Sequence, residues 1–77
     1  SAARPLGLCR LAVGDVAGAI GLLSRAVVED DGLPTPPGAV WSRTGLAAAL
    51  RRAGERDQAR DVADRARADA SRLGMAE

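Results

Sequence analysis

The chain has no histidine, lysine, phenylalanine or tyrosine, and only one each of cysteine, tryptophan and methionine. Each shortage excludes a class of chemistry. Without imidazole there is no Ser–His–Asp triad, no Cys–His nucleophile pair and no histidine-bearing zinc site. A single cysteine cannot close an internal disulfide, so this is not a cross-linked secreted mini-protein. Arg10, Asp15 and Arg25 break the longest apolar stretches well short of the roughly 20 residues that a membrane span needs. No basic start followed by an apolar run marks a secretory signal. The chain opens without methionine on Ser1-Ala2-Ala3-Arg4-Pro5, and these features together predict a cytoplasmic piece of a longer chain. All positive charge comes from 11 arginines, set against seven Asp and three Glu, for a formal charge of +1.

What is present is mostly small and apolar. Of the 77 residues 47% are hydrophobic, and 17 are alanine. Few large side chains remain for a core, and a chain of this length is marginal as a free-standing fold. Punctuation falls at Gly14-Asp15, at Gly54-Glu55, and across Asp30-Asp31-Gly32-Leu33-Pro34-Thr35-Pro36-Pro37-Gly38, where clustered prolines cannot lie inside a helix or a sheet ladder. No segment alternates with period two, so no strand is predicted.

Four helices are predicted, over about 5–13, 16–29, 36–53 and 56–73, an all-α fold. Pro5 suits a first helical turn, and Asp15 suits an N-cap for the second helix. That helix carries Val16, Ala19, Ile20, Leu23, Ala26 and Val27 on one face, with Gly18 and Gly21 tolerable where a neighbour packs close. Thr35 and Pro36 are predicted to open the third helix, which turns Val40, Ala47, Leu50 and Ala53 toward the core. The fourth sets Ala59, Val62, Ala63, Ala66, Ala70 and Leu73 against a charged side bearing Asp57–Arg60, Asp61–Arg65, Arg65–Asp69 and Asp69–Arg72 pairs. Gly74 offers a left-handed cap, with Met75 folding back over the last turn.

Shifted by 40 residues, the chain partly matches itself. Leu6 falls on Leu46, Gly14 on Gly54, Asp15 on Glu55, Ala19 on Ala59, and Arg25-Ala26 on Arg65-Ala66. A glycine ends the first helix of each half, an acidic residue opens the second, and small residues recur seven apart. Two helix-turn-helix hairpins follow, spanning 2–31 and 38–74 within a single domain over 1–77, joined by a Pro-rich loop at 32–37.

These residues, Leu6-Gly7, Gly14-Asp15, Ala19 and Ala26 in one half and Leu46-Ala47, Gly54-Glu55, Ala59 and Ala66 in the other, resemble the tetratricopeptide-repeat family over nearly the whole chain. Arg10 and Leu50 stand where that family usually has an aromatic, its terminal proline is missing, and the inter-repeat loop is longer. The tail from Ala66 to Met75 is loosely similar to helices in the repeat regions of large bacterial transcriptional regulators. The resemblance implies a fragment of a right-handed solenoid. It also implies a concave groove lined by first helices, on which Trp41, Thr44, Ala48, Arg51 and Arg52 would lie.

Candidate sites reduce to few. Cys9 is expected to face the partner helix as a small hydrophobe, with no histidine to activate it. Glu29-Asp30-Asp31-Gly32 lacks the spacing of a calcium loop and reads as a solvated helix end. The glycines at 14, 18 and 21 do not spell a dinucleotide fingerprint. The arginines of the second half are interleaved with Asp57, Asp61, Asp64 and Asp69, which argues against a nucleic-acid face. Trp41 is either an interface anchor, with Arg51 and Arg52 ready for an acidic group, or a cover for Leu33 and the loop prolines.

The expectation is therefore a non-catalytic protein–protein interaction scaffold without metal or cofactor. Its partner would be a protein or peptide segment, or another domain of the parent chain. The alternatives are a purely structural solenoid section without its own ligand and, less favoured, a nucleic-acid-binding helical domain. Leu8, Leu11 and Leu22 are expected to stay uncovered, which predicts self-association.

Overall fold

The computed structural model describes residues 2–33 and 37–75, and within them the chain is all α. The helices are α1 (Ala3–Ala12), α2 (Val16–Asp31), α3 (Pro37–Arg52) and α4 (Arg56–Arg72), with no strand among the described residues. Each packs chiefly on its neighbours in sequence, α1 on α2, α2 on α3 and α3 on α4, while α1 touches α3 lightly. The α1/α2 and α3/α4 hairpins are the two expected from the internal repeat. Helix α1 starts two residues before Pro5, and α2 runs to Asp31, past the predicted end at 29. The predicted cap at Thr35 and first turn at Pro36 lie outside the described residues.

The three glycine turns share one construction. Gly14, Gly54 and Gly74 adopt φ of +87°, +82° and +74°, the left-handed region that a side chain disfavours. After each, the next residue donates its N–H back across the last turn: Asp15 to the Arg10 carbonyl, Glu55 to Leu50 and Met75 to Ala70. Each glycine N–H bonds Leu11, Arg51 or Ser71 in turn. This pair of bonds satisfies carbonyls that a helix end leaves free, and it reverses the chain tightly. The Asp15 carboxylate then caps α2, accepting from the Gly18 N–H at 3.0 Å, whereas Glu55 makes no side-chain cap.

The core is small and spans three helices. Ala19, Leu23, Leu46, Ala49, Leu50 and Ala59 form it, with Leu11, Ile20, Val27 and Val62 packed alongside. Leu23 is fully enclosed. Ala19 and Ala26 on α2, and Ala59 and Ala66 on α4, are all buried, as the seven-residue recurrence predicts. On α3, Val40, Ala47 and Leu50 are buried as predicted, but Ala53 is exposed, and Leu46 and Ala49 join Leu50 in the core. Cys9, expected to face a partner helix, is exposed. Leu8 is exposed as predicted, but Leu11 and Leu22 are half-buried.

Close helix approach depends on other glycines than those flagged in α2. A Cβ on Gly7 would lie 2.7 Å from Leu23 Cγ, and one on Gly45 would lie 3.1 Å from Leu8 Cδ2 and 3.2 Å from Leu23 Cδ2. Gly21 faces open space, and Gly18 merely leaves room for the Asp15 cap. Leu23 thus fills the volume that two missing side chains leave on α1 and α3. Gly7→Ala should lower the unfolding free energy by about 1–3 kcal/mol through overpacking. Gly21→Ala should raise it by up to about 1 kcal/mol. Urea denaturation of the two variants checks both signs.

Candidate interaction groove

The acidic end of α2 organises the polar side of the molecule. Three carboxylates in the last turn sit at the negative end of a helix dipole, with no basic residue in that turn to offset them. Arg25 of the same helix lies 3.8 Å from Glu29, and the compensation for Asp30 and Asp31 arrives from other helices. Asp30 accepts from the buried Ser42 hydroxyl at 2.5 Å and from Arg4 at 3.4 Å. Asp31 receives both arms of Arg43, at 2.9 and 2.7 Å. The Arg43 side chain is only 10% exposed and also lies 3.8 Å from Asp69 of α4, which Arg65 and Arg72 hold at 3.2 and 3.0 Å. No buried side-chain polar atom lacks a partner among the described residues.

The solvated-helix-end reading of Glu29–Asp31 is therefore corrected: Asp30 and Asp31 join α2 to α1 and α3, and Asp69 extends the network to α4. Of the α4 pairs predicted, Asp57–Arg60, Arg65–Asp69 and Asp69–Arg72 form, while Asp61 meets Arg60 instead of Arg65 and Asp64 pairs with Arg67. Among the described residues no group of three or more metal-ligating side chains gathers. No helix among them is long and apolar enough to cross a membrane.

Trp41 stands on the ridge of α3, 55% exposed. One side of it faces a hollow shared with Leu33, Pro37 and Arg4, whose guanidinium lies 5.4 Å from the ring centroid. This is cation–π distance, and Arg4 also donates to the Gly38 carbonyl at 3.1 Å. The other side opens into a groove of about 460 Å³ between α3 and α4. Trp41, Thr44 and Arg51 line that groove with Ala47, and α4 contributes Ala63, Ala66, Arg67 and Ala70, with Met75 closing the end beside Trp41. The groove continues past Arg51 to Arg56 and Arg60.

Of the five residues predicted for a groove, the structure brings three together. Ala48 is half-buried and does not line it. Arg52 donates to the Leu11 carbonyl at 2.9 Å and so ties α3 to the end of α1. The Thr44 hydroxyl is used within its own helix, on the Val40 carbonyl. Missed from sequence were the α4 wall and Met75, although the alanine stripe already marked that wall as a surface of close approach. The carboxylates at a helix C-terminus were the readable sign of the Asp30–Asp31 network, because such residues are unfavourable there unless cations meet them.

Asp31 is held below its ordinary pKa of 3.8, first by the hydrogen bonds from Arg43, against a smaller opposing effect of burial, with the charges of Arg43 and Arg65 adding to the lowering. A carboxyl lowered in the folded state contributes stability that is present above pH 3.8 and lost as pH falls below it. Arg43→Met should cost about 1–3 kcal/mol at neutral pH by leaving Asp31 without its bidentate guanidinium and by taking one of three cations from Asp69. It should also flatten the acid limb of the stability profile below pH 3.8, measured by urea denaturation at stepped pH.

Comparison with known proteins gives no match to a family model, to a curated protein or to a solved structure.

Proposed function

We propose that this chain is a non-catalytic protein-interaction module of tetratricopeptide-repeat type, and that it docks a protein segment on the α3 ridge and the α3/α4 groove. The carrying observation is Trp41, a large aromatic left 55% exposed at the junction of two hollows in a chain with no other aromatic residue. A tryptophan above a groove floored by alanine gives apolar area at little entropic cost, and arginines at the rim supply orientation. The absence of histidine and the exposure of the lone Cys9 without an imidazole beside it support a non-catalytic role. The repeat pattern and the Ala/Arg-rich tail support a place in a cytoplasmic bacterial signalling or transcription regulator.

Trp41 reports on its own occupancy. Titration with a panel of acidic, neutral and basic peptides, both helical and extended, should blue-shift its emission for at least one class. Trp41→Ala should weaken that binding about 10- to 30-fold. The same substitution should change stability by less than about 1 kcal/mol, as for a surface position. If no peptide shifts the emission, the chain is better read as a structural section of a longer solenoid.

Self-association is part of the same proposal. Leu6 and Leu8 of α1, Val13 just after it and Val28 of α2 are exposed, and a second copy covering them would remove that apolar surface from water. Sedimentation from micromolar to millimolar concentration should show a rising average mass. A strictly monomeric, cooperatively folded species over that range would remove this part of the proposal.

A further inference from the structure

We infer that the α3/α4 groove is a helix seat selective for an acidic amphipathic helix, an inference that rests on the interaction-module reading above. The molecule contains its own template. Helix α3 lies in the corresponding seat of the first hairpin, with Gly45 against Leu8 and Leu23, and with Leu46, Ala49 and Leu50 in the core beside Leu11 and Val27. The offset of the internal repeat carries Leu11, Leu23, Ala26 and Val27 onto Arg51, Ala63, Ala66 and Arg67. All four of these line the open groove. The second hairpin therefore presents the equivalent positions, with alanine at 63 and 66 and arginine at 51 and 67, and among the described residues no helix lies on them and only Met75 reaches the groove from beyond α4.

The substitutions between the two seats define the occupant. Where the filled seat is flanked by Leu11 and Val27, the open one is flanked by Arg51 and Arg67. Where the filled seat ends in Asp30 and Asp31, which take Ser42 and Arg43 of α3, the open one ends in Ala70 and Ser71. The charge pattern is inverted: the first hairpin recruits a basic helix, and the second asks for carboxylates. Arg56 and Arg60 extend the positive rim.

Along α4, residues 56, 60, 63 and 67 share one face, while Asp57, Asp61 and Asp64 lie about 100° round the helix. The arginines at 56, 60 and 67 thus face the groove, and the aspartates lie on the adjoining flank. Arg67 pairs with Asp64, and Arg60 meets Asp57 and Asp61 at 3.7 and 4.0 Å. Arg51 and Arg56 have no ion-pair partner among the described residues. A groove with an apolar floor and a basic rim fits a helix with leucines at i, i+3, i+4 and i+7 and glutamates beside them.

The test uses two synthetic helical peptides of α3's length with the same leucine face, one carrying glutamate and the other lysine at the flanking positions. Binding to the whole chain is followed by Trp41 emission and calorimetry. The glutamate peptide should bind, and raising salt from about 50 to about 500 mM should weaken it severalfold. Arg51→Ala with Arg67→Ala should weaken it about 3- to 10-fold, while Arg25→Ala on the outer face of α2 should not. Ala63→Phe, which fills the floor, should abolish it. Equal binding of the two peptides, or indifference to the paired arginine substitution, would overturn the acidic-helix inference and leave the interaction module standing. Failure of both helices while an extended peptide still shifts Trp41 would do the same. Failure of every peptide overturns both readings. Displacement of the glutamate peptide from the arginines by a duplex oligonucleotide at physiological salt would assign the groove to nucleic acid instead.

Discussion

Two adjacent carboxylates at the end of α2 set the geometry on which the remaining surfaces depend. Asp30 and Asp31 occupy the negative end of a helix dipole and are stable there because cations and a hydroxyl from other helices converge on them. The bidentate grip of Arg43 on Asp31 fixes both the distance and the rotation of α3 relative to α2, which a single-point contact would not do. Arg4 reaches the same carboxylate cluster from α1 and also lies against Trp41, so the ring's position is tied to the network. Because Arg43 also faces Asp69, α4 is joined to it. A core of six small and medium side chains would hold these helices with little preference among rotations. The polar network supplies the directionality that apolar contact lacks.

Close approach is the complementary constraint. Two glycines on different helices, Gly7 and Gly45, receive Leu23 between them, so one leucine fills what would otherwise need several large residues. The shortage of aromatic side chains becomes intelligible in this light. Helices separated by glycine and alanine leave no room for bulkier groups, and the one aromatic residue the chain possesses lies outside on the ridge of α3. The repeated glycine turns give each hairpin the same short reversal.

The two hairpins carry different charge at positions 40 residues apart. The first is filled by α3 and closed with an Asp–Arg clamp. The second has Ala63 and Ala66 on its floor, where the first has Leu23 and Ala26, and arginines where the first has Leu11 and Val27. A net charge of +1 hides this, because Arg and Asp alternate along α4 and cancel in any sum over sequence. On the helix Arg56, Arg60 and Arg67 face the groove, Asp57, Asp61 and Asp64 lie beside them and pair with Arg60 and Arg67, and Arg65 and Arg72 turn away to hold Asp69.

Much of the architecture is legible in the order of residues, for local reasons. The apolar spacing of α2 and α4, the Asp15 cap and the glycines at 14, 54 and 74 act within one helical turn, so helices, turns and hairpin pairing follow from the sequence alone. So did the burial of Ala19, Ala26, Ala59 and Ala66. What only the tertiary structure decided is what each face meets. It brought Arg43 of α3 to carboxylates that end α2, turned Cys9 and Ala53 outward, and used Arg52 on α1 rather than in the groove. It also made the close contacts at Gly7 and Gly45 instead of those within α2. Such pairings depend on the rotation of one helix about another, which periodicity within a helix does not specify; long-range ion pairs and interlocking volumes do.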